Sequence, residues 1–168
     1  MIVSGNTIMS LNKRYKLIEN TSEDKSLVWG AGVGVRLGQL YRLKGDSALS
    51  ASESRLPISE KVADLSEGDK IFVIEKNDYL LGKTVEKINM PTAKIDVGGK
   101  IGPALLIAEV FPRSTLLKCG VSLMATRLEP GYSGEVGFAM INISGCPMQV
   151  DMGVKIANLV FKTFEGEV

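Results

Sequence analysis

Residues 121–142 have the sequence VSLMATRLEPGYSGEVGFAMIN, which carries the clearest structural signal in the chain. Its two flanks, 121–128 and 134–142, are rich in apolar residues and predict two strands. Between them lies Glu129-Pro130-Gly131-Tyr132, with proline and glycine at the two central positions of a four-residue turn. This order suits a type II turn, because proline fixes its own φ and glycine accepts a positive φ. The stretch therefore predicts a β-hairpin.

Other short apolar runs extend this pattern along the chain. Residues 154–162 predict a final strand. Residues 27–43 contain four glycines and predict strand and bend, because each glycine weakens a helix by about 1 kcal/mol. Residues 104–111 fit either a buried strand or a short helix, since so short an apolar run has no decisive period. The pair Gly98-Gly99 predicts a turn.

Residues 71–86 predict a second hairpin. The run Ile71-Phe72-Val73-Ile74 favours a strand, Lys76-Asn77-Asp78 favours a turn, and the apolar pattern then resumes at Tyr79. Two polar segments, 19–25 and 44–60, predict a turn and a surface loop. Many short strands with little helix indicate an all-β barrel or jelly roll.

Length and composition fit one compact domain that covers residues 1–168. Hydrophobic residues make up 45% of the chain and charged residues 23%, which is the balance of an ordinary globular protein. The 20 basic and 19 acidic residues leave a net charge of +1, which argues against a protein that coats nucleic acid. We therefore expect no nucleic-acid partner.

Histidine is absent, which excludes Ser-His-Asp triads, Cys-His pairs and most catalytic zinc sites. Cys119 and Cys146 are the only cysteines and form no Cys-x-x-Cys motif, so we expect two free thiols. The sequence contains no run of about 18 apolar residues and so predicts no membrane span. The N-terminal residues show no secretory signal. The expected location is the cytoplasm. Chemistry must rest on carboxylates, hydroxyls, lysine, arginine, backbone amides or a hard cation.

The segment Pro112-Arg113-Ser114-Thr115-Leu116-Leu117-Lys118-Cys119-Gly120 is a candidate phosphate-binding site. Ser114 is a suitable N-cap and Gly120 a suitable C-terminal stop, so the segment predicts a helix of one or two turns. The start of such a helix offers free backbone amides beside the Arg113 guanidinium and the Ser114 hydroxyl, and these groups bind phosphate oxygens. A capped surface helix without any ligand is the alternative.

Polar residues of the hairpin turn and the final strand are further candidates. Glu129, on a rigid turn, can orient and deprotonate a water molecule, and Tyr132 can stack on a sugar or base. Asn158 stands near the start of the final strand, where its amide can reach phosphate oxygens. Each residue also fits an ordinary role by itself, since acidic turn residues are usually solvated and strand asparagines usually bond to backbone.

Taken together, in this order and spacing, the motifs resemble those of the superfamily shared by trimeric dUTPases and dCTP deaminases. The resemblance covers nearly the whole chain. Pro112-Arg113-Ser114 is similar to the phosphate-binding motif, and residues 127–134 resemble the nucleoside-binding hairpin. Residues 153–161 resemble the strand whose amide side chain contacts phosphates. The segments that look most like the deaminase branch are 1–4, 35–38 and 79–86.

The resemblance implies a distorted jelly-roll barrel of the dUTPase type with one or two short helices. It implies a homotrimer with active sites between subunits, and a deoxypyrimidine nucleoside triphosphate, dUTP or dCTP, as the ligand. Mg²⁺ would bind through the phosphates and water rather than through protein side chains, as that ion prefers. Glu129 would be the catalytic base. The nucleotide- and phosphate-binding residues would be Arg113, Ser114, Thr115, Lys118, Ala125, Tyr132 and Asn158.

One position bears directly on the reaction. The deaminases use a glutamate on the returning strand to activate water at the cytosine ring, and alignment through Gly134 and Asn142 places Ala139 there. A methyl group cannot move protons, whereas the trimeric dUTPases carry an apolar residue at this position. Glu129 stands where those dUTPases have their catalytic aspartate, and it keeps the general-base chemistry. The sequence therefore favours hydrolysis of dUTP to dUMP and pyrophosphate.

Two alternatives stay open. The first is deamination of dCTP to dUTP and ammonia, alone or combined with pyrophosphatase activity, because the overall frame resembles the deaminase branch more closely. The second is a non-catalytic nucleotide-binding relative. Three features motivate the second alternative: Ala139, Gly34 in place of a family aspartate, and residues 165–168, which lack the glycine-rich closing tail of the dUTPases.

Overall fold

The computed structural model describes residues 1–21, 27–98 and 102–166. The helices in these ranges are α1 (Gly5–Tyr15) and α2 (Ser114–Lys118), and a short 3₁₀ turn spans Leu65–Glu67. The strands are β1 (Ile18–Glu19), β2 (Val28–Trp29), β3 (Gly32–Lys44), β4 (Ala48–Leu49), β5 (Ser54–Arg55), β6 (Ile58–Asp64), β7 (Ile71–Ile74), β8 (Tyr79–Asn89), β9 (Ile95–Asp96), β10 (Pro103–Pro112), β11 (Val121–Ala125), β12 (Ser133–Asn142), β13 (Met148–Asp151) and β14 (Lys155–Phe164).

Most of these strands belong to one antiparallel sheet. Its order is β11-β12-β8-β3-β14-β10-β9, with β1 paired to β8 and with β2 and β6 paired to β3. The long strand β3 pairs with β14 along its first part and with β8 and β6 along its second part. The sheet therefore curls into a half-barrel, and β7 and β13 form a separate pair. This architecture confirms the predicted all-β, dUTPase-like jelly-roll class.

The alternation of side chains along the strands builds the core. Strand β8 alternates between buried and more exposed residues along its length, as a strand with one face against a core must. Leu80 and Ile88 of β8 are fully buried, and so are Leu159 and Phe161 of β14. Ile8 of α1 joins the same cluster. Each buried side chain of this size contributes about 1.5–3 kcal/mol.

The hairpin of residues 121–142 is confirmed. Strands β11 and β12 pair in antiparallel register from Val121 opposite Asn142 to Ala125 opposite Phe138. The Tyr132 N–H donates to the Glu129 carbonyl at 3.1 Å, and Gly131 has φ +86°, as the predicted turn requires. The first strand ends at Ala125 rather than at residue 128.

The second predicted hairpin is wrong. Strands β7 and β8 form where expected, and Asp78 closes the turn by accepting the Glu75 N–H at 3.0 Å. The two strands then diverge, because β7 pairs with β13 while β8 pairs with β1, β3 and β12. Buried Asn142 supports this arrangement, since its Nδ2 donates to the carbonyls of Ile74 (3.0 Å) and Cys146 (2.9 Å).

Other segments agree in part with the sequence predictions. Residues 104–111 lie within strand β10, which resolves the choice between strand and helix. Residues 44–60 are largely exposed, as predicted, but they include the β4–β5 pair. Gly98 adopts a turn conformation with φ +84°, whereas Gly99 and residues 22–26 lie outside the described residues. Among the described helices, none has the length and apolar character to cross a membrane.

A buried charge lies within the sheet at Glu86. Its side chain has no exposed surface, and it accepts the Arg36 backbone N–H at 2.7 Å and the Arg36 Nε–H at 2.6 Å. Arg36 also donates from Nη2 to the Asn20 carbonyl at 2.7 Å. A carboxylate in a core is stable only when it is paired and hydrogen-bonded, so Arg36 is the residue that permits Glu86 to be buried.

Candidate functional site

Arg113 lies where β10 ends and α2 begins. Its backbone N–H donates to the Ile156 carbonyl at 3.0 Å, which ties this junction to β14. Its half-buried guanidinium reaches the same strand, since Nη1 lies 3.4 Å from the Lys155 carbonyl. Leu116 is buried and anchors α2 to the core. The predicted phosphate-binding residues on the outer side of α2 are all exposed: Ser114, Thr115 and Lys118.

The predicted cap of this helix is wrong. Arg113 occupies the N-cap position in extended conformation, no side chain caps the helix there, and Ser114 is the first helical residue. The bond from Arg113 to Ile156 holds residue 113 extended, so that residue 113 takes the cap position and the helix begins one residue earlier than a cap at Ser114 would allow. The predicted end is confirmed, because Gly120 has φ +74° and donates its N–H to the Leu117 carbonyl at 2.9 Å.

Asn158 lies in the middle of the sheet beside this junction. Phe111 of β10 stands opposite it on one side and Gly34 of β3 on the other. Directly opposed residues of antiparallel strands share a face, so all three lie on one face. The Asn158 Oδ1 is buried, and no group among the described residues bonds to it. An unsatisfied buried polar atom costs about 1–3 kcal/mol, so a ligand or water that satisfies this amide gains that energy.

Lys155 adds a second cation to the same place. Burial and, after it, the positive charge of Arg113 hold the pKa of Lys155 below its usual range. None of the ion pairs between described residues includes Arg113 or Lys155. Two neighbouring cations repel each other unless an anion lies between them. The arrangement is therefore chemically suited to bind an anion.

Glu129 and Tyr132 lie on a different part of the chain. The Glu129 carboxylate is exposed, and its Oε1 accepts from Arg127 Nε at 2.7 Å and lies 2.5 Å from Arg127 Nη2. The Tyr132 hydroxyl donates to the Glu135 carbonyl at 2.5 Å, and its ring packs partly against the core. Burial and then the charge of Glu135 raise the pKa of Tyr132. The ring face, rather than the hydroxyl, is what Tyr132 offers to a ligand.

Ala125 lines a separate apolar pocket of about 500 Å³. Ala139, the position at which the deaminases have a glutamate, lines the same pocket, and so do the small residues Gly82 and Gly137. Polar groups reach the pocket from Tyr41, Ser59, Lys83 and Thr126. No carboxylate stands among its described lining residues, so the pocket offers no acidic group that could move a proton.

Within one chain, the predicted residues do not form a single site. Leu128 bridges to Ala108 of β10, so Glu129 lies beside the middle of that strand. Arg113 follows Ala108 by five residues, which at about 3.3 Å per residue is about 16 Å. The structure brings Arg113 and Asn158 together, places Glu129 and Tyr132 on one turn, and leaves Ala125 in its own pocket.

Three residues of these places were not predicted from the sequence. Lys155 joins the Arg113 cluster, and Tyr41 and Lys83 line the pocket of Ala125. Lys155 stands three residues before Asn158, which is the only local signal for it. Tyr41 and Lys83 meet because β3 pairs with β8, and no local pattern in the sequence indicates that pairing.

Comparison with known proteins gives one family. The profile of the family described as dCTP deaminase-like matches residues 2–164. Among curated proteins, the chain is 23% identical over 167 residues to a dUMP-forming dCTP deaminase of Dictyoglomus turgidum, covering 96% of this chain and 79% of that one. It is 28% identical over 132 residues to a probable deoxyuridine 5′-triphosphate nucleotidohydrolase of Methanopyrus kandleri, covering 78% and 76%.

One solved structure supports the fold. The 2′-deoxycytidine 5′-triphosphate deaminase of Agrobacterium tumefaciens matches with a TM-score of 0.68 and 14% sequence identity. The match covers 95% of this chain and 46% of that one, so the chain spans less than half of that protein's length. At this level of identity the likeness concerns the path of the backbone, and the chemistry must be argued from the side chains.

Proposed function

The chain belongs to the dCTP deaminase-like family, and from that premise we propose that it binds a deoxypyrimidine nucleoside triphosphate and hydrolyses dUTP to dUMP and pyrophosphate. The observation that carries the choice of reaction is the pocket at Ala139. Its described lining holds a methyl group and no carboxylate. Deamination needs a proton shuttle at the ring, whereas hydrolysis at phosphorus needs none there.

The phosphate side of the proposed site is the Arg113 cluster. Arg113 offers a guanidinium without an acidic partner among the described residues. Asn158 offers an amide whose buried Oδ1 has no partner, and turning that amide over would present its N–H donors to the phosphates. Both groups would bind phosphate oxygens and stabilise the charge that develops as the bond between the α-phosphorus and the leaving oxygen breaks. Additional hydrogen bonds would come from Ser114, Thr115 and Lys118.

Glu129 would take the proton of the water that attacks the α-phosphorus. Glu129 lies beside Ala108, which precedes Arg113 by about 16 Å of extended β10 backbone. As the resemblance implies, we propose a homotrimer in which the Glu129 turn of one subunit faces the Arg113 cluster of its neighbour. The Tyr132 ring would pack against deoxyribose, and the pocket at Ala125 would take the pyrimidine ring.

Magnesium is the cofactor that the resemblance implies. The described residues contain no cluster of three or more acidic, cysteine or histidine side chains able to hold a metal. Mg²⁺ would thus bind through phosphate oxygens and water, which suits its preference for several water ligands. When bound, it would screen negative charge on the phosphates. Cytoplasm, where nucleotides are available, is the proposed location.

Deamination of dCTP is the second candidate, because the curated relatives include proteins named dCTP deaminase. One experiment separates the two reactions. Purified protein is incubated with dUTP or dCTP and Mg²⁺, and pyrophosphate, dUMP, dUTP and ammonia are quantified. We expect pyrophosphate and dUMP from dUTP and no ammonia from dCTP. Ammonia release would overturn the argument from Ala139, and nucleotide binding without any product would favour a non-catalytic relative.

Arg113→Met should weaken binding of an α,β-imido analogue of dUTP by about 10- to 150-fold, since a hydrogen bond to a charged group is worth about 1.5–3 kcal/mol. Calorimetric titration of the purified protein measures the dissociation constant. Arg14→Met, in the last turn of helix α1, is the matched control and should leave affinity unchanged. Equal affinities of wild type and Arg113→Met would remove Arg113 from the proposed site.

A further inference from the structure

Gly34 of strand β3 has no side chain, and the side chain of Lys155 occupies the space that one would take. A Cβ atom placed on Gly34 would lie 2.2 Å from Lys155 Cε, 2.7 Å from Cδ and 2.8 Å from Nζ. Lys155 therefore crosses from β14 and rests its side chain directly on the bare backbone of Gly34. Any side chain at position 34 would displace the ammonium group.

This seat places the ammonium group beside the other anion-binding groups. Gly34 stands opposite Asn158, whose Oδ1 is buried without a partner. Arg113 reaches the Lys155 carbonyl at 3.4 Å, and burial together with the positive charge of Arg113 lowers the pKa of the Lys155 amine. Turning the Asn158 amide over would present its N–H donors to an anion held by the two cations.

The same surroundings are unsuited to a divalent metal. A small cavity of about 90 Å³ adjoins the cluster, with Arg113 and Lys155 in its wall, and none of its described lining residues is acidic. Mg²⁺ binds oxygen ligands, usually including a carboxylate, and two adjacent side-chain cations repel it. The positive charge that phosphates need is already supplied here by the protein.

We propose that Lys155, seated on Gly34, anchors the phosphate chain together with Arg113, and that this pair binds a triphosphate without a divalent cation. The inference rests on the proposed function for the identity of its ligand. It goes further by assigning a phosphate contact to Lys155, a purpose to Gly34, and a limited part to Mg²⁺, which would contribute to the chemical step and not to anchoring.

Calorimetric titration with inorganic tripolyphosphate and with the α,β-imido analogue of dUTP tests the proposal, in buffer with EDTA and in buffer with Mg²⁺. Wild type should bind both ligands with dissociation constants that differ by less than about threefold between the buffers. Lys155→Met should weaken binding in EDTA by about tenfold or more, as expected for a lost charge-assisted hydrogen bond. Lys162→Met, farther along β14 and paired with Glu109, should bind as wild type does.

A double-mutant cycle tests the contact between Lys155 and Gly34. Gly34→Ala changes no charge and displaces only the flexible end of Lys155, so the protein should fold, which circular dichroism and thermal unfolding verify. Its binding should weaken about as much as that of Lys155→Met, and the double variant should be no weaker than either. Additive losses, or full affinity in Gly34→Ala, would overturn the role of the seat.

The outcomes also separate this proposal from the proposed function. Binding in Mg²⁺ but not in EDTA overturns metal-free anchoring and leaves dUTP hydrolysis standing. Binding in EDTA with no hydrolysis of dUTP supports the anchor and counts against the proposed reaction. Loss of binding in both buffers for the wild type would overturn both.

Discussion

Replacing Glu129 by glutamine should lower kcat for dUTP hydrolysis by about 10³-fold, the size of effect that a general base typically contributes. Glutamine keeps the length of the side chain and can still accept a hydrogen bond from Arg127 through its amide oxygen. It cannot take a proton from the attacking water. Because the proposed phosphate contacts belong to the separate Arg113 cluster, the dissociation constant of the α,β-imido analogue should change little. Single-turnover kinetics and calorimetry measure the two effects.

Glu135→Gln is the matched control, since it removes a carboxylate from the same hairpin. The Glu135 side chain is partly exposed and lies 3.6 Å from Lys87, and only its backbone carbonyl serves Tyr132. We expect that variant to keep wild-type turnover. If Glu129→Gln also keeps its turnover, the base must lie elsewhere. If both variants lose activity equally, the hairpin's charge rather than a proton transfer is responsible.

The parts of the fold that were predictable are those that short stretches of sequence encode by themselves. The turn at Pro130-Gly131 forms because these two residues prefer its backbone angles, and it brings β11 and β12 together wherever they lie in the fold. The turn at Asp78 is equally local, but a tight turn does not determine strand partners. Pairing of β7 with β13 depends on distant residues such as Asn142, and the local pattern could not show it.

Helix α1 also combines local signals with features that depend on tertiary structure. Ser4 caps it by accepting the Thr7 N–H at 3.2 Å, and Lys13 and Arg14 lie in its last turn, all of which are recognised helix signals. Its apolar face is small, with Gly5 and Ile8 as its buried residues, so no strong period marks it. Only glycine fits at position 5, because a Cβ there would lie 2.4 Å from the Gly32 carbonyl oxygen. That restriction comes from a tertiary contact.

The candidate site divides in the same way. Arg113, Glu129 and Asn158 could be chosen from motifs because their chemistry and spacing are legible along the chain. The contact of Lys155 with Gly34 could not, since it exists only through the register of β14 on β3. From the sequence, Gly34 counts as the loss of a family aspartate. In the structure it is occupied space, filled by a cation from another strand.

Arg36→Met should lower the free energy of unfolding by about 3 kcal/mol or more, the cost of leaving a buried charge without its partner. Methionine preserves much of the side-chain volume, so the loss reports the missing guanidinium. Glu86 would keep only the backbone N–H of residue 36 as a donor from this position. The Asn20 carbonyl would also lose its bond from Nη2. Urea unfolding at neutral pH, with an unchanged m-value, measures the difference.

The double variant Arg36→Met with Glu86→Gln separates charge from packing. Glutamine removes the buried negative charge, so this variant should recover at least about half of the lost stability, even though it restores no ion pair. Lys44→Met breaks the exposed Lys44–Glu60 pair, whose side chains are 61% and 48% accessible, and should cost less than about 1 kcal/mol. If Arg36→Met costs no more than Lys44→Met, solvent must reach Glu86. The sheet would then be more open around Glu86 than the structure shows, because the Glu86 side chain has no exposed surface in it.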